Sequence, residues 1–379
     1  MRENEAVLQA LEETRKAGKK GALATVVKVK GSAYRREGAK MFIDETGNYV
    51  GLISGGCLEA DVAEVAKTVM QENQIILKRY ELDENLVWGL GLGCPGTVDI
   101  FIEPIRADKD QHSALATWSQ SIQKGNAAAL CTVIKSSDKD GPTVDRRLVI
   151  PEEGYATGSL GHTGLNHYVE QWAKELFQEP SPRSSSRSID LDDGTSVNVF
   201  LDVAVPLPMV MIFGAGHDAI PVAELSANLG LPTTVVDPRP GYNTAERFPG
   251  AARLLIDSGA YQQELVIGKR TYVVIMNHHL ERDQEALKFA LLSEAPYVGL
   301  LGPRSRRERI MEALGKAGAT FHERQLARLC NPIGLDIGAD TAEEIAVSIL
   351  AEIIARRTGH EGGLLRDKKQ IHQSTVIAL

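Results

Sequence analysis

The hydrophobic and polar positions of this chain change their period near residue 206. Up to that point the pattern is mostly alternation, the mark of strands with one buried face, interrupted by amphipathic helical stretches. Val7, Leu8 and Leu11 recur at helical spacing among charges over 3–17, and Gly18 closes that helix. Strands are predicted over 22–29, 40–44 and 49–53, the last two joined by a hairpin turn around Gly47. A helix over 58–70, a strand over 75–81 and a strand ending at Glu103 and Pro104 follow. A second set begins near Ala127 and includes a helix over 164–177. The stretch 179–188 is so rich in Ser and Pro that it predicts a mobile loop burying little surface.

From Met209 the pattern becomes short, wholly apolar runs over 209–213, 233–236, 253–256, 271–276 and 297–301, alternating with helices over 217–229, 282–292, 304–317 and 341–357. Strands apolar on both faces are covered on both faces, which predicts a Rossmann-like, doubly wound parallel sheet. Pro206 and Pro208 mark the boundary, giving domains 1–206 and 207–379 of an α/β protein.

The first of these domains reads as a duplication. Thr25-Val-Val-Lys-Val29, the segment 38–51 and Thr97-Val-Asp-Ile-Phe-Ile-Glu103 recur as Cys131-Thr-Val-Ile-Lys135, the segment 147–158 and Ser196-Val-Asn-Val-Phe-Leu-Asp202. The copies span about 22–104 and 127–203. Where the first reads Ile53-Ser-Gly-Gly-Cys57-Leu-Glu59, the second reads Ser159-Leu-Gly-His162-Thr-Gly-Leu165, without a thiol.

With 379 residues the chain can bury more than one core unaided. Its net charge of −8 leaves no broad basic face for nucleic acid, although Arg304, Arg306, Arg307 and Arg309 could hold a single anion. No apolar run reaches membrane-spanning length and the first residues lack a signal-peptide core, so a cytoplasmic protein is expected. Four dispersed cysteines, Cys57, Cys94, Cys131 and Cys330, indicate free thiols rather than a disulfide framework or zinc ribbon.

Three places carry candidate chemistry. Gly214-Ala-Gly216-His217-Asp-Ala219 links a strand to a helix, with Asp237 ending the next strand. In that context Gly214 makes a tight turn, Gly216 lets backbone approach a diphosphate, Ala219 lets the helix pack on the strand, and the helix N-terminus faces the anion. Asp237 would meet a ribose diol, whereas Arg239 could meet a phosphate. A turn in a sheet with no ligand is the plain alternative. His278 and His279 follow the fourth strand, where they could contact a ligand, share a metal or cap a helix; His217 joins the same edge. Cys57 sits between a glycine turn and a helix N-terminus, a setting that makes a thiol reactive, or it simply packs beneath the helix. Cys94 in its own glycine-rich loop is a second such thiol, and Arg35 and Arg36, bracketed by Gly31 and Gly38, could bind an anion.

Taken together, Gly31-Ser-Ala-Tyr-Arg35-Arg36-Glu-Gly-Ala-Lys-Met41, Ser54-Gly-Gly-Cys57-Leu-Glu59, Gly93-Cys94-Pro-Gly96, Phe213-Gly-Ala-Gly-His217, Pro332-Ile-Gly-Leu-Asp-Ile-Gly338 and the run 341–348 resemble the xanthine dehydrogenase accessory family, XdhC/CoxI. Pro95 departs from the glycine expected after the second cysteine. The resemblance implies an accessory or chaperone protein rather than a classical enzyme, one that binds molybdopterin or a molybdopterin dinucleotide, assists its sulfuration and delivers it. The partners implied are a xanthine dehydrogenase-type molybdenum enzyme, a cysteine desulfurase and, for self-association, a second copy in a homodimer. Cys57, with Cys94 as the weaker candidate, would then work at the molybdenum end. An NAD(P)-dependent oxidoreductase using Gly214, Gly216, Asp237 and a histidine is the alternative from another class.

Overall fold

Alternation in each copy of the repeat produces a five-stranded antiparallel sheet, and both sheets share one strand order. The computed structural model describes residues 2–31, 34–82, 96–105, 114–137, 143–179 and 181–367. The chain divides into two compact units, Met1–Pro206 and Leu207–Leu379. In the first unit, one copy runs α1 (Arg2–Lys16), β1 (Gly21–Gly31), β2 (Lys40–Asp44), β3 (Tyr49–Val50), α2 (Glu59–Glu72), β4 (Ile76–Leu82) and β5 (Gly96–Pro104). The other runs α3 (Ala114–Gln123), β6 (Ala128–Ser136), β7 (Arg147–Pro151), β8 (Thr157–Ser159), α4 (Thr163–Phe177), β9 (Ser185–Asp190) and β10 (Ser196–Ala204). The sheet orders are β3-β2-β1-β5-β4 and β8-β7-β6-β10-β9.

The registers repeat residue by residue. Thr25 lies opposite Lys40 and Phe101, and Thr132 opposite Arg147 and Phe200. Both central ladders skip one residue in a bulge, Val27 in the first and its counterpart Ile134 in the second. Because successive strand residues face opposite ways, each sheet has two distinct faces. Ala22, Ala24, Val26, Met41 and Ile43 pack under α2, and Ala129, Cys131, Val133, Leu148 and Ile150 under α4. The other faces meet through Val27, Phe101, Ile134 and Phe200, so the sheets pack on each other.

That inner layer also holds charge. Lys40, only 2% exposed, bonds Asp202 and the Gly38 carbonyl (3.1 Å), and Asp202 accepts from the Ser184 hydroxyl at 2.9 Å. Arg147 bonds Glu103 and, at 2.9 Å, Asp145. Lys40 and Arg147 occupy equivalent positions, as do Glu103, opposite Leu23, and Asp202, opposite Leu130. Each copy therefore lends its cation to the other copy's acid, the self-complementary pattern of a twofold interface enclosed in one chain. Burial raises the Glu103 carboxyl, against the pull of the Arg147 guanidinium.

The Ser-rich stretch corrects the loop expected over 179–188. Ser185–Asp190 is β9, an edge strand paired antiparallel with β10. Its side chains find partners: the Ser186 hydroxyl donates to the Val27 carbonyl at 2.6 Å, Arg187 stacks 4.3 Å over Trp172, and Ile189 packs against the core under α4. β4 holds the equivalent place in the first sheet, so the duplication itself calls for a strand. Helix α3 is also not among the elements expected from the sequence; it buries Trp118, whose indole donates to the Ala128 carbonyl.

The second unit is a six-stranded, all-parallel sheet in the order β13-β12-β11-β14-β15-β16. The strands are β11 (Met209–Phe213), β12 (Thr233–Val236), β13 (Ala252–Leu254), β14 (Thr271–Ile275), β15 (Tyr297–Leu300) and β16 (Leu329–Cys330). α5 (Ala219–Asn228) and, after the short turns α6 (Tyr261–Glu264) and α9 (Glu323–Leu326), α10 (Ala342–Thr358) cover one face through Val222, Ala223, Ile349 and Ile353. α7 (Leu280–Leu292) and α8 (Arg304–Lys316) cover the other through Leu287, Leu291, Ile310 and Leu314. The chain moves outward from β11 through β12 and β13, then returns to place β14 on the other side of β11. This reversal opens a crevice at the carboxyl ends of β11 and β14, where doubly wound sheets bind ligands.

Candidate functional site

Gly214 begins the turn after β11 with φ +115, a backbone that side chains rarely adopt, and a Cβ there would lie 2.5 Å from the Met276 carbonyl oxygen. Only a bare Cα lets this turn pass so close to the end of β14. Asp237 braces the turn from the other side. Fully buried, it accepts from the Ala215 N–H (2.8 Å) and, through both oxygens, from Arg239. Burial works to raise this carboxyl, but the Arg239 side chain and the two backbone N–H groups outweigh it and hold the group below its ordinary range. A depressed carboxylate stabilises the fold above its unfolded value and stops doing so as pH falls through its folded value, so this brace weakens only on acidification. Both Asp237 oxygens are thus engaged within the protein, and Arg239 lies 4.2 Å over the Tyr242 ring.

The remaining candidate residues of this edge differ in exposure. Ala219 is fully buried in the helix–sheet core, while His217, His278 and His279 are exposed. His278 has φ +55, an uncommon backbone for a residue with a side chain, and its Nε2 lies 2.6 Å from Asp218. His279 is the residue that precedes α7, and its side chain makes no capping bond. Among the described residues no group of His, Cys, Asp or Glu is arranged to hold a metal ion. Asp283 ties the next loop together, accepting from Asn277 and from Arg306.

In the first unit, Cys57 is half-buried just ahead of α2. The Ser54 hydroxyl organises this turn: it accepts from the N–H groups of Gly56, Cys57 and Leu58 at 3.1–3.3 Å and donates to Glu59. Glu59, buried at 1% exposure, also accepts from the N–H groups of Ile53 and Ser54. Burial raises its carboxyl, yet the Ser54 hydroxyl and the backbone donors prevail and lower it. The thiol lies 3.5 Å from the Ser54 oxygen, so a thiol, a hydroxyl and a carboxylate stand in sequence. Tyr34, which precedes Arg35 and Arg36 in sequence, reaches this turn, its ring 3.4 Å from where a Gly55 Cβ would stand. Cys94 lies outside the described residues.

Strand registers refine the comparison of the copies. Val50 and Thr157 are equivalent, which sets Cys57 on Gly164 and Glu59 on Asn166. Asn166 keeps the bracing role, accepting from the Leu160 N–H at 2.8 Å, while His162 caps a helix that starts earlier. Sequence reasoning misses Ser54, Glu59 and Asp218, although each stands inside a recognised motif. The signal that could find Ser54 and Glu59 is a polar side chain within a few residues of a glycine turn, placed to satisfy backbone donors at a helix start; Asp218 makes no such bond and carries no such signal.

Cys131 and Cys330 are buried, and burial pushes both thiols up, that of Cys330 to about 12. Cys57 should therefore react with iodoacetamide well before either. Peptide mass spectrometry over a time course checks this, and equal rates would deny Cys57 its accessibility.

Residues 210–353 match the XdhC Rossmann domain and residues 14–81 match the XdhC and CoxI family. A Bacillus subtilis (strain 168) protein, described as a probable subunit of xanthine dehydrogenase, is 31% identical over 88% of this chain and 92% of its own length. The Escherichia coli (strain K12) protein named molybdenum cofactor insertion chaperone PaoD is 24% identical over 94% of this chain and 89% of its own. A crystal structure described as a xanthine dehydrogenase from Bacillus halodurans superposes with a TM-score of 0.69 at 30% identity, covering 97% of this chain and 98% of that one. The chain belongs to the XdhC and CoxI family. No helix among the described residues is long and apolar enough to cross a membrane.

Proposed function

We propose that this protein is a maturation factor that holds the molybdenum cofactor as cargo and passes it to a molybdenum hydroxylase of the xanthine dehydrogenase type. The observation that carries the proposal is that both units together, over 94% of the chain, align with a protein named as a molybdenum cofactor insertion chaperone. The geometry supports it in two places. The turn at Gly214 and Gly216 offers bare backbone at a helix N-terminus, suited to the cargo's phosphate or diphosphate, with Arg239, His278 and His279 on the same edge. Cys57 offers a half-buried thiol on a turn that the Tyr34 ring reaches, and Arg35 and Arg36, the next residues in sequence, would serve anionic groups, a setting suited to the end of the cargo that bears a dithiolene-held metal with oxo or sulfido ligands. Cys57 would serve there as sulfur relay, nucleophile or ligand, and a cysteine desulfurase is the matching sulfur source.

A nicotinamide-dependent oxidoreductase draws less support. Its adenosine ribose needs a free carboxylate after the second strand, and Asp237 gives both oxygens to Ala215 and Arg239. The test is delivery: the purified protein loaded with the molybdenum cofactor should activate a cofactor-free molybdenum hydroxylase faster than free cofactor does. Equal rates with and without the protein would remove the proposed role.

A further inference from the structure

Asp218 stands inside the glycine motif, yet a carboxylate is an odd neighbour for a turn read as anion-binding. Its placement is specific. A Cβ on Gly216 would lie 2.6 Å from Asp218 Oδ1 and 3.6 Å from His278 Cδ2, so both side chains fold over the second glycine of the turn. Asp218 precedes α5 but makes no side-chain capping bond there; its other oxygen holds His278 Nε2 at 2.6 Å. The two residues come from opposite sides of the crevice, Asp218 from the turn after β11 and His278 from the turn after β14.

We infer that Asp218 sets the affinity of this turn for anions: its carboxylate stands where the ligand's phosphate would come, and a phosphate binds by displacing it from His278. This rests on the reading of the turn as a phosphate site. The exposures favour displacement. Asp218 is 21% exposed and His278 59%, so their pair is at the rim, where ion pairs hold weakly. Two other acids, Asp237 bonded to Ala215 and Arg239 and Asp283 bonded to Asn277 and Arg306, are buried and multiply bonded, so neither can yield in the same way. A phosphate entering the crevice gains the N–H groups at the start of α5 together with the imidazole that Asp218 releases. A ligand without an anionic group gains nothing from the exchange, so the contact also selects for ligand class.

The test is titration of the full-length protein with inorganic pyrophosphate by calorimetry. Asp218→Asn keeps the shape but removes the competing charge, and it should tighten binding roughly fivefold to tenfold, about 1–1.4 kcal/mol. Asp218→Ser should do the same, which guards against an effect peculiar to asparagine, and His278→Gln should weaken binding. Unfolding curves matching the native protein certify each variant. Native affinity in both Asp218 variants, or weaker binding, overturns the inference while leaving the phosphate site in place. No pyrophosphate binding by the native protein or any variant overturns the phosphate reading and this inference with it.

Discussion

Asp202→Ala should destabilise the first unit by about 3–5 kcal/mol, because it leaves the Lys40 ammonium buried between two sheets without its partner. The loss is measurable by denaturant titration. All three tryptophans, Trp88, Trp118 and Trp172, belong to this unit, so their fluorescence follows its unfolding and not that of the Rossmann domain. Removing both charges, in Lys40→Met with Asp202→Leu, should recover most of the loss, since a buried ion pair replaced by apolar groups of similar volume is often close to neutral. A loss below about 1 kcal/mol for Asp202→Ala would mean that water reaches Lys40 and that the reciprocal pairs do not hold the copies in register.

The largest functional effect is expected at Cys57. Cys57→Ser replaces the thiol with a smaller hydroxyl that can still hydrogen-bond to Ser54, and the surrounding turn is held by Ser54 and Glu59 rather than by the thiol. The variant should keep its fold and melting behaviour but lose activation of the partner enzyme by at least about tenfold, a barrier change of about 1.4 kcal/mol. Activation assays on matched preparations decide this. Full activation by Cys57→Ser would reduce the thiol to a packing residue of α2.

Much of this architecture is legible in the sequence because each signal has a direct physical cause. The period-two pattern gives the strands of both copies, and the apolar runs from Met209 give a sheet covered on both faces. The strand-to-helix glycine turn is readable since Gly214 meets both a strained φ and a backbone approach that no side chain allows. Strand β9 is not readable from its own composition, because its stabilisation lies in backbone pairing with the adjoining β10 and in hydroxyl bonds to distant partners such as Ser186 to Val27. The reciprocal pairs of Lys40 with Asp202 and Arg147 with Glu103 escape for the same reason, although the duplication places each residue at an equivalent position. At the candidate site, residue types are readable and their allegiances are not. Asp237 looks like a ribose ligand in one dimension, but Arg239, two residues on, occupies it in three.

The central claim is that this protein carries the molybdenum cofactor, and anaerobic purification from a host that makes molybdopterin tests it most directly. Pterin released by acid oxidation should be detected by fluorescence in near-equal amount to protein, with molybdenum alongside it by metal analysis, and both should fall when Gly216 is replaced by a bulky residue. A folded native protein isolated in this way with neither pterin nor molybdenum would contradict the account.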